Sequence, residues 1–455
     1  MTIPLLREQQ GLTIAERRAR GRALRSRVPR SEHAAWVPSA DRPDPVSLLE
    51  ASNRERIQTL VPIRYGRMLI SLFAFLRGSA VVMATDLATT PSTGIQVQLC
   101  GDAHLANFGT YATPERNQVF DVNDFDETLL GPWEWDVKRL AASVVVAARQ
   151  NGLPARSTRQ AVLHCLHTYR ERMWAFAQMG HLDLWYQSVD AQSILKQVGR
   201  ANRLFVTREL EKAYRHTNAK VFPQLTSNDH GKITIKDNPP LITHLDGAAR
   251  ADLTRALLEG YEASLPDERR VLLNRYRVVD LAQKVVGVGS VGTRCSIVLL
   301  LGNKEGDPLF LQIKEARPSV LEPHLSKSVY PNQAQRVVNG QRLMQAASDI
   351  FLGWTTSGSR DYYIRQLRDR TGTPTIEQLP ERDFILYAGL CAWTLARAHA
   401  RSGDPALISG YLGSSDQFDS AVATFAQAYA DQTEQDYAVL RQAVQSGRIT
   451  AQTIG

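Results

Sequence analysis

The sequence predicts an α+β fold in two lobes, a small β-rich one and a larger helical one. Three observations predict it. The chain has 455 residues, past the length at which one core usually divides. A block near 271–370 holds three closely spaced apolar strand patterns, whereas the sequence on either side runs mostly in helical periods. Polar residues able to do chemistry gather where strands end. Hydrophobic residues at 43% and charged residues at 22% are ordinary for a globular chain and exclude disorder throughout.

Four regions follow from this reading: a basic arm over 1–45, a first part of the large lobe over 46–270, the small lobe over 271–370, and C-terminal helices over 371–455 that complete the large lobe. Within the arm, residues 1–30 hold eight arginines against Glu8 and Glu16, a net of +6 of the chain's formal +8. Such an arm can bind nucleic acid or anionic membrane by counterion release. The commoner use of a charge run is a solvated tail or a helix face packed on its own protein, so nucleic acid is not the expected partner. The longest apolar stretch, Met68 to Ala84, is broken by Arg77 and is too short to span a bilayer. No apolar h-region with a cleavage site opens the chain. Cys100, Cys165, Cys295 and Cys391 form no C-x-x-C pair, which fits a reducing cytoplasm.

Pro38, Pro43 and Pro45 separate the arm from Leu48–Leu87, which reads as two helices. Next comes a buried strand, IQVQLC (Ile95–Cys100), which runs directly into GDAHLANFG. A turn at ATPERN leads to a second strand, QVFDV. Trp135–Asn151 is apolar at helical spacing, and helical periods continue to about Leu210. Residues 211–245 are less regular, with a hairpin around KITI. The three strands of the small lobe are VVDLAQKVVGVGS, TRCSIVLLLG and PLFLQIKEA, joined by a glycine-rich turn and by NKEGDP. From Pro331 onward the chain is mostly helical, with one strand at YYIRQL.

Asp102 and Asn107 stand five apart just after a strand, and Asp121 follows the next strand. Phosphoryl transfer needs such a set: a carboxylate to orient or deprotonate the acceptor, and hard oxygen ligands to hold magnesium on the phosphates. Asp102 suits the first role, Asn107 and Asp121 the second, with Asp124 as the alternate metal ligand. In the acidic run DVNDFDE, Asp126 and Glu127 read as structural. An EF-hand is excluded, because position five is Phe125 and no glycine follows. Far downstream, Gly287, Gly289 and Gly292 form G-x-G-x-x-G between two strands, and Lys314 lies on the strand after the next turn. Glycines let backbone amides approach phosphate while a lysine supplies charge. A strand rather than a helix after the glycines favours a kinase-type loop over a dinucleotide-binding turn.

His104 reads equally as an orienting neighbour of Asp102 or as a satisfied buried histidine. His399 reads as structural. Trp133 and Trp135 read as core. His164, Cys165 and His167 do not converge on one helix face, which excludes a metal site there.

GDAHLAN resembles the GDxHxxN catalytic loop of aminoglycoside and choline phosphotransferases, and VFD resembles their following metal-binding segment. Asp136 in WDVKRLAAS resembles the aspartate that opens their next helix. LCAWTLARAHARSGDP (Leu390–Pro405) resembles their helix leading into the catalytic loop. The whole chain, including RVPRSEHAAW and GPWEWDVKRLAAS, resembles the uncharacterised bacterial domain-of-unknown-function family 2252. Since that family is grouped with protein-kinase-like folds, the resemblance implies such a fold, with ATP and magnesium (Mg2+) as cofactors.

The order is unusual for such a fold, because the catalytic-loop segment precedes the glycine loop and the lysine. Reading 275–410 and then 95–270 restores the kinase order, so the sequence predicts a circular permutation. One feature departs from kinase-like small lobes. No glutamate occurs between Glu322 and Glu377, so the helix Asn332–Asp349 offers Asn339 or Gln341 where those lobes pair lysine with glutamate. Lys314 is left to Glu315, to Asp121 or to no partner.

Two readings of function result. The first is an ATP- and magnesium-dependent phosphotransferase acting on a hydroxyl of a small molecule or protein. In it Asp102 and Lys314 are catalytic, Gly287, Gly289, Gly292 and Lys314 bind nucleotide, and Asn107 with Asp121 or Asp124 holds metal. Residues 150–270 are the expected place of acceptor selection. The second is a nucleotide-binding pseudokinase that serves as a scaffold, suggested by the missing glutamate.

Overall fold

Strand β9 (Cys295–Leu301) is seven consecutive buried residues, an uninterrupted apolar run of the kind a strand needs when both of its faces are covered. In the computed structural model, which describes residues 10–245, 247–303, 306–367 and 370–453, it lies inside a six-stranded antiparallel sheet ordered β11-β12-β10-β9-β8-β7. The other five strands are β7 (Ile242–His244), β8 (Arg277–Lys284), β10 (Pro308–Ala316), β11 (Gly353–Ser357) and β12 (Arg360–Gln366). Residues alternate between two apolar clusters. Val298, Leu300, Leu309, Leu311 and Ile313 pack on one face with Ile364, and Ile297, Leu299, Leu301 and Phe310 pack on the other. The period of two puts Lys314 on the Phe310 face and Glu315 on the opposite one.

The other strands are short: β1 (Gln96–Leu99) with β4 (Leu129–Pro132), β2 (Phe108–Ala112) with β3 (Gln118–Val122), and β5 (Thr226–Asp229) with β6 (Lys232–Ile235), each pair antiparallel. Helices build the rest, and 52% helix with 16% strand accords with the α+β expectation. The helix Trp133–Gln150 is central, with sixteen consecutive buried residues, Trp133 through Ala148. A helix buried around its whole circumference belongs in a core, and its charged residues Glu134, Asp136, Lys138 and Arg139 are buried with the rest. Its neighbours are the helices Ala155–Phe176, Glu381–Ser402 and Gln417–Gln445.

Three expectations need correction. Leu48–Leu87 lies in four helices, not two: Pro45–Asn53, Val61–Met68, Leu72–Gly78 and Ala80–Leu87. Pro62 enters the first turn of the second, and the Ser71 hydroxyl caps the third by accepting from the Ala74 amide. Strand β11 lies in a stretch read as helical, and β7 in one read as irregular. The calls on residues 1–9 of the arm and on 304–305 of the NKEGDP turn lie outside the described residues.

The described part of the arm is not a free tail. A helix, Ile14–Ala23, begins at a capping box in which Thr13 and Glu16 exchange bonds, and it packs on the helix Pro405–Leu412. The approach is close enough that a Cβ on Gly21 would lie 2.0 Å from the Leu407 carbonyl oxygen, and one on Gly410 2.3 Å from that of Arg18. Arg25 donates to the carbonyls of Gly410 and Tyr411, and Arg30 to that of Leu412. These guanidiniums satisfy the free carbonyls at a helix C-terminus, where positive charge is favoured. No helix among the described residues is long and apolar enough to cross a membrane.

Candidate functional site

Strand β1 delivers the segment Gly101–Asn107, which is fixed from several sides. Gly101 has φ +84°, and a Cβ there would lie 2.2 Å from the Glu127 carbonyl oxygen, so only glycine fits. The amides of Cys100 and Gly101 donate to the Asp136 carboxylate at 2.8 and 3.0 Å. Asp136 sits in the first turn of the helix Trp133–Gln150, where an acid is favoured. Buried His399 lies 3.2 Å from the same carboxylate and 2.8 Å from the Tyr169 hydroxyl.

Asp102 receives two bonds from Arg139, Nη2 at 2.6 Å and Nε at 2.8 Å, both on Oδ1. Among the described residues, Oδ2 contacts His104 Nε2, at 3.6 Å. Burial raises the Asp102 pKa, and Arg139 only partly offsets it. Burial holds His104 well below its ordinary range, so this imidazole is neutral. The Asn107 side-chain nitrogen donates to the Asp102 carbonyl at 2.6 Å, leaving Oδ1 as an unengaged acceptor.

Lys314 reaches this cluster from the sheet. Its Nζ donates to Asp126 Oδ2 at 2.6 Å and lies 3.5 Å from Asp124 Oδ1, although 188 residues separate Lys314 from Asp126. The Tyr363 hydroxyl donates to the other oxygen of Asp126 at 2.7 Å. Burial works against the Lys314 ammonium, but Asp124 and Asp126 outweigh it and hold its pKa well above the ordinary value. Glu315 projects from the opposite face of β10 and pairs with Arg294 and Arg360. The lysine's partner therefore comes from the segment after β3, neither from Glu315 nor from Asp121.

A cavity of about 160 Å³ joins these groups. Its walls carry Asp102, Asn107, Asp124, Lys314, Gly287 and Gly289 together, with Arg77, Ser290 and Arg365. A Cβ at Gly287 would meet nothing within 4 Å, so nothing in the protein itself demands glycine there. Gly292 does not line this wall. Its φ of +85° turns the chain toward the large lobe, where the Ile57 amide bonds its carbonyl at 2.8 Å.

Asp121 is not brought to the cavity. It is fully buried within β3, ion-paired with Arg397 at 2.6 Å and accepting from the Ala346 amide at 2.8 Å. The carboxylate on the cavity wall is the alternate, Asp124, and Asp126, expected to be structural, is the acid that holds the lysine. Sequence reasoning also missed Arg139 and Arg77. Arg77 carried a signal, since it is the charge that interrupts an apolar stretch. Trp133 and Trp135 are core, as expected. Among the described residues no group of three or more His, Cys, Asp or Glu could hold a metal by protein ligands alone.

A model of a bacterial family described as an uncharacterized protein conserved in bacteria (DUF2252) matches residues 56–443. The chain belongs to this family. No curated protein and no solved structure matches it. The DUF2252 match takes in every residue of the 160 Å³ cavity, from Arg77 to Arg365, and leaves out the helix Ile14–Ala23.

Proposed function

We propose that this DUF2252 protein is a phosphotransferase of kinase-like fold in circularly permuted order, using ATP and magnesium. One observation carries the reading: Asp102, Asn107, Asp124, Gly287, Gly289 and Lys314, taken from three distant stretches of sequence, line one cavity. The residues fit a magnesium–phosphate group. Asn107 Oδ1 and the Asp124 carboxylate are hard oxygen donors on that wall, and magnesium usually keeps waters and substrate phosphates as its remaining ligands. When bound, the metal would neutralise charge on the phosphates. The protein's own groups do the rest. Arg139 fixes Asp102 so that Oδ2 can receive the acceptor's hydroxyl proton, Lys314 supplies positive charge beside Asp124, and Gly287 and Gly289 leave room for phosphate oxygens against the backbone. Permutation accords with the contact between the helices Ile14–Ala23 and Pro405–Leu412, which packs an early segment of the sequence on a late one.

The test is thermal melting with and without magnesium-ATP, alongside Lys314→Met and Asp124→Ala. A ligand that binds only the folded state adds about 2.7 kcal/mol at a hundredfold excess over Kd. A rise in Tm that both substitutions diminish supports a nucleotide site; no rise with any nucleotide overturns it. The pseudokinase reading is kept by one feature, the pairing of Lys314 with Asp126 in place of a helix glutamate. A nucleotide-dependent rise in Tm without Asp102-dependent release of ADP would favour it.

A further inference from the structure

A second chamber, of about 780 Å³, opens from the same catalytic wall. It shares Arg77, Asp102, Asn107 and Asp124 with the smaller cavity, and its far side is built by residues 48–64 and 315–327. This volume suits a small molecule. Five arginines line it: Arg54, Arg56, Arg64, Arg77 and Arg317. Arg64 is 3% exposed, and its Nε has no partner, as is true of the buried Nε atoms of Arg56 and Arg317. Arg77 forms no hydrogen bond or ion pair among the described residues; its guanidinium lies 6.0 Å from the centre of the Phe73 ring, and Glu377, Asp102 and Asp124 act on it electrostatically.

Several acids on the same wall are engaged by other groups, whereas Glu55 pairs with Arg317 at 3.4 Å. Asp102 is held by Arg139, Asp126 by Lys314, and Glu315 by Arg294 and Arg360. Glu127 accepts from the Val320 amide, and burial raises its pKa. Glu322 Oε1 has no hydrogen-bond partner among the described residues. Burial and mutual repulsion both lower the pKa of Arg56, with Arg64 and Arg317 as the repelling charges. Guanidiniums brought together against their own repulsion, with donors left over, are placed to bind an oxyanion.

We propose that the chamber is the acceptor site and that the acceptor is a small alcohol carrying an anionic oxyacid group, which Arg56, Arg77 and Arg317 hold so that its hydroxyl faces Asp102. This inference rests on the phosphotransferase reading. In the step it implies, the acceptor's hydroxyl oxygen bonds to the γ-phosphorus of ATP while the bond from that phosphorus to the β–γ bridging oxygen breaks. The hydroxyl proton passes to Asp102 Oδ2, and ADP leaves with the bridging oxygen.

The experiment is a set of melting curves on the full chain at constant ionic strength, titrated with glycerol 3-phosphate, glycerate, inorganic phosphate or glycerol. The wild type, Arg317→Gln, Arg77→Gln and Lys314→Met are compared. Expected is a rise in Tm with glycerol 3-phosphate or glycerate, none with glycerol, retention in Lys314→Met, and at least a tenfold weaker midpoint in Arg317→Gln and Arg77→Gln. A rise that adds to that of magnesium-ATP places the anion beside the nucleotide. A rise with the anions but none with any nucleotide keeps the anion site and removes the phosphotransferase reading. No rise with any of the anions, or a rise lost in Lys314→Met and kept in Arg317→Gln, overturns the proposal. Should one arginine variant fail to fold by circular dichroism, the other decides.

Discussion

Asp121 and Asp124 are three residues apart and have opposite roles. Asp121 neutralises Arg397, itself fully buried. Removing one member of a buried pair leaves an uncompensated charge and costs about 3–5 kcal/mol. Asp121→Asn is therefore expected to lower the melting temperature sharply, whereas Asp124→Asn should melt near the wild type yet lose the magnesium-dependent part of any nucleotide shift. Chemical denaturation beside the ligand titrations checks both; equal stability losses would refute the division. For Asp102 the sign of the pH dependence follows from burial, which raises its pKa above the ordinary 3.8. A base acts only when deprotonated, so the rate of ADP release should fall on acidification with its limb above that value. Asp102→Asn should reduce the rate by about 10²- to 10⁴-fold without an equal loss of nucleotide binding.

At the scale of elements, the helix Trp133–Gln150 holds a basic group with little to satisfy it. Lys138 is fully buried, its Nζ has no hydrogen-bond partner, and it lies 5.0 Å from the centre of the Phe425 ring. Burial lowers its pKa, and Glu134 one turn earlier only partly restores it. In the unfolded chain this lysine keeps its proton up to the ordinary value of 10.5, so between the lowered folded value and 10.5 the unfolded state binds more protons and stability rises with pH. Lys138→Met should be more stable at neutral pH by about 1 kcal/mol or more, and its melting temperature should rise less toward pH 10. An unchanged slope would mean that the ammonium is not the cause. β9–β10 were legible because their apolar runs are long, and this helix because its apolar residues recur at helical spacing. The four helices of 45–87 were not, because the breaks are made by single capping residues and a proline inside one apolar period. The acidic segment at and after the end of β3 was legible as a cluster of carboxylates, but which of them lines the cavity was not. The way the chain leaves a strand decides which carboxylate faces the cleft, and that depends on Arg397, 276 residues away.

At the scale of the whole molecule, the sheet is clamped onto the helical part around the cavity. Arg67 donates to the Val286 carbonyl and Arg56 to that of Val291, while Arg336 reaches the carbonyls of Asp126 and Thr128 from the sheet side. Arg365 on β12 completes the closure by donating to the Asn123 carbonyl at 2.8 Å and to Gln312 at 3.3 Å. It also separates the 160 Å³ cavity from a third one, of about 460 Å³, lined by Tyr111, Gln341, Gln345 and Thr371. The smaller space suits phosphates and is too small for a whole nucleotide, so a nucleoside reaching the third cavity must turn the Arg365 side chain aside. That displacement costs two hydrogen bonds of about 1 kcal/mol each, and inorganic tripolyphosphate, which needs only the smaller cavity, does not incur it. Arg365→Ala should therefore tighten ATP relative to tripolyphosphate by about tenfold or more, read as the ratio of the two dissociation constants by calorimetry. A ratio unchanged by the substitution would place the base somewhere other than behind Arg365.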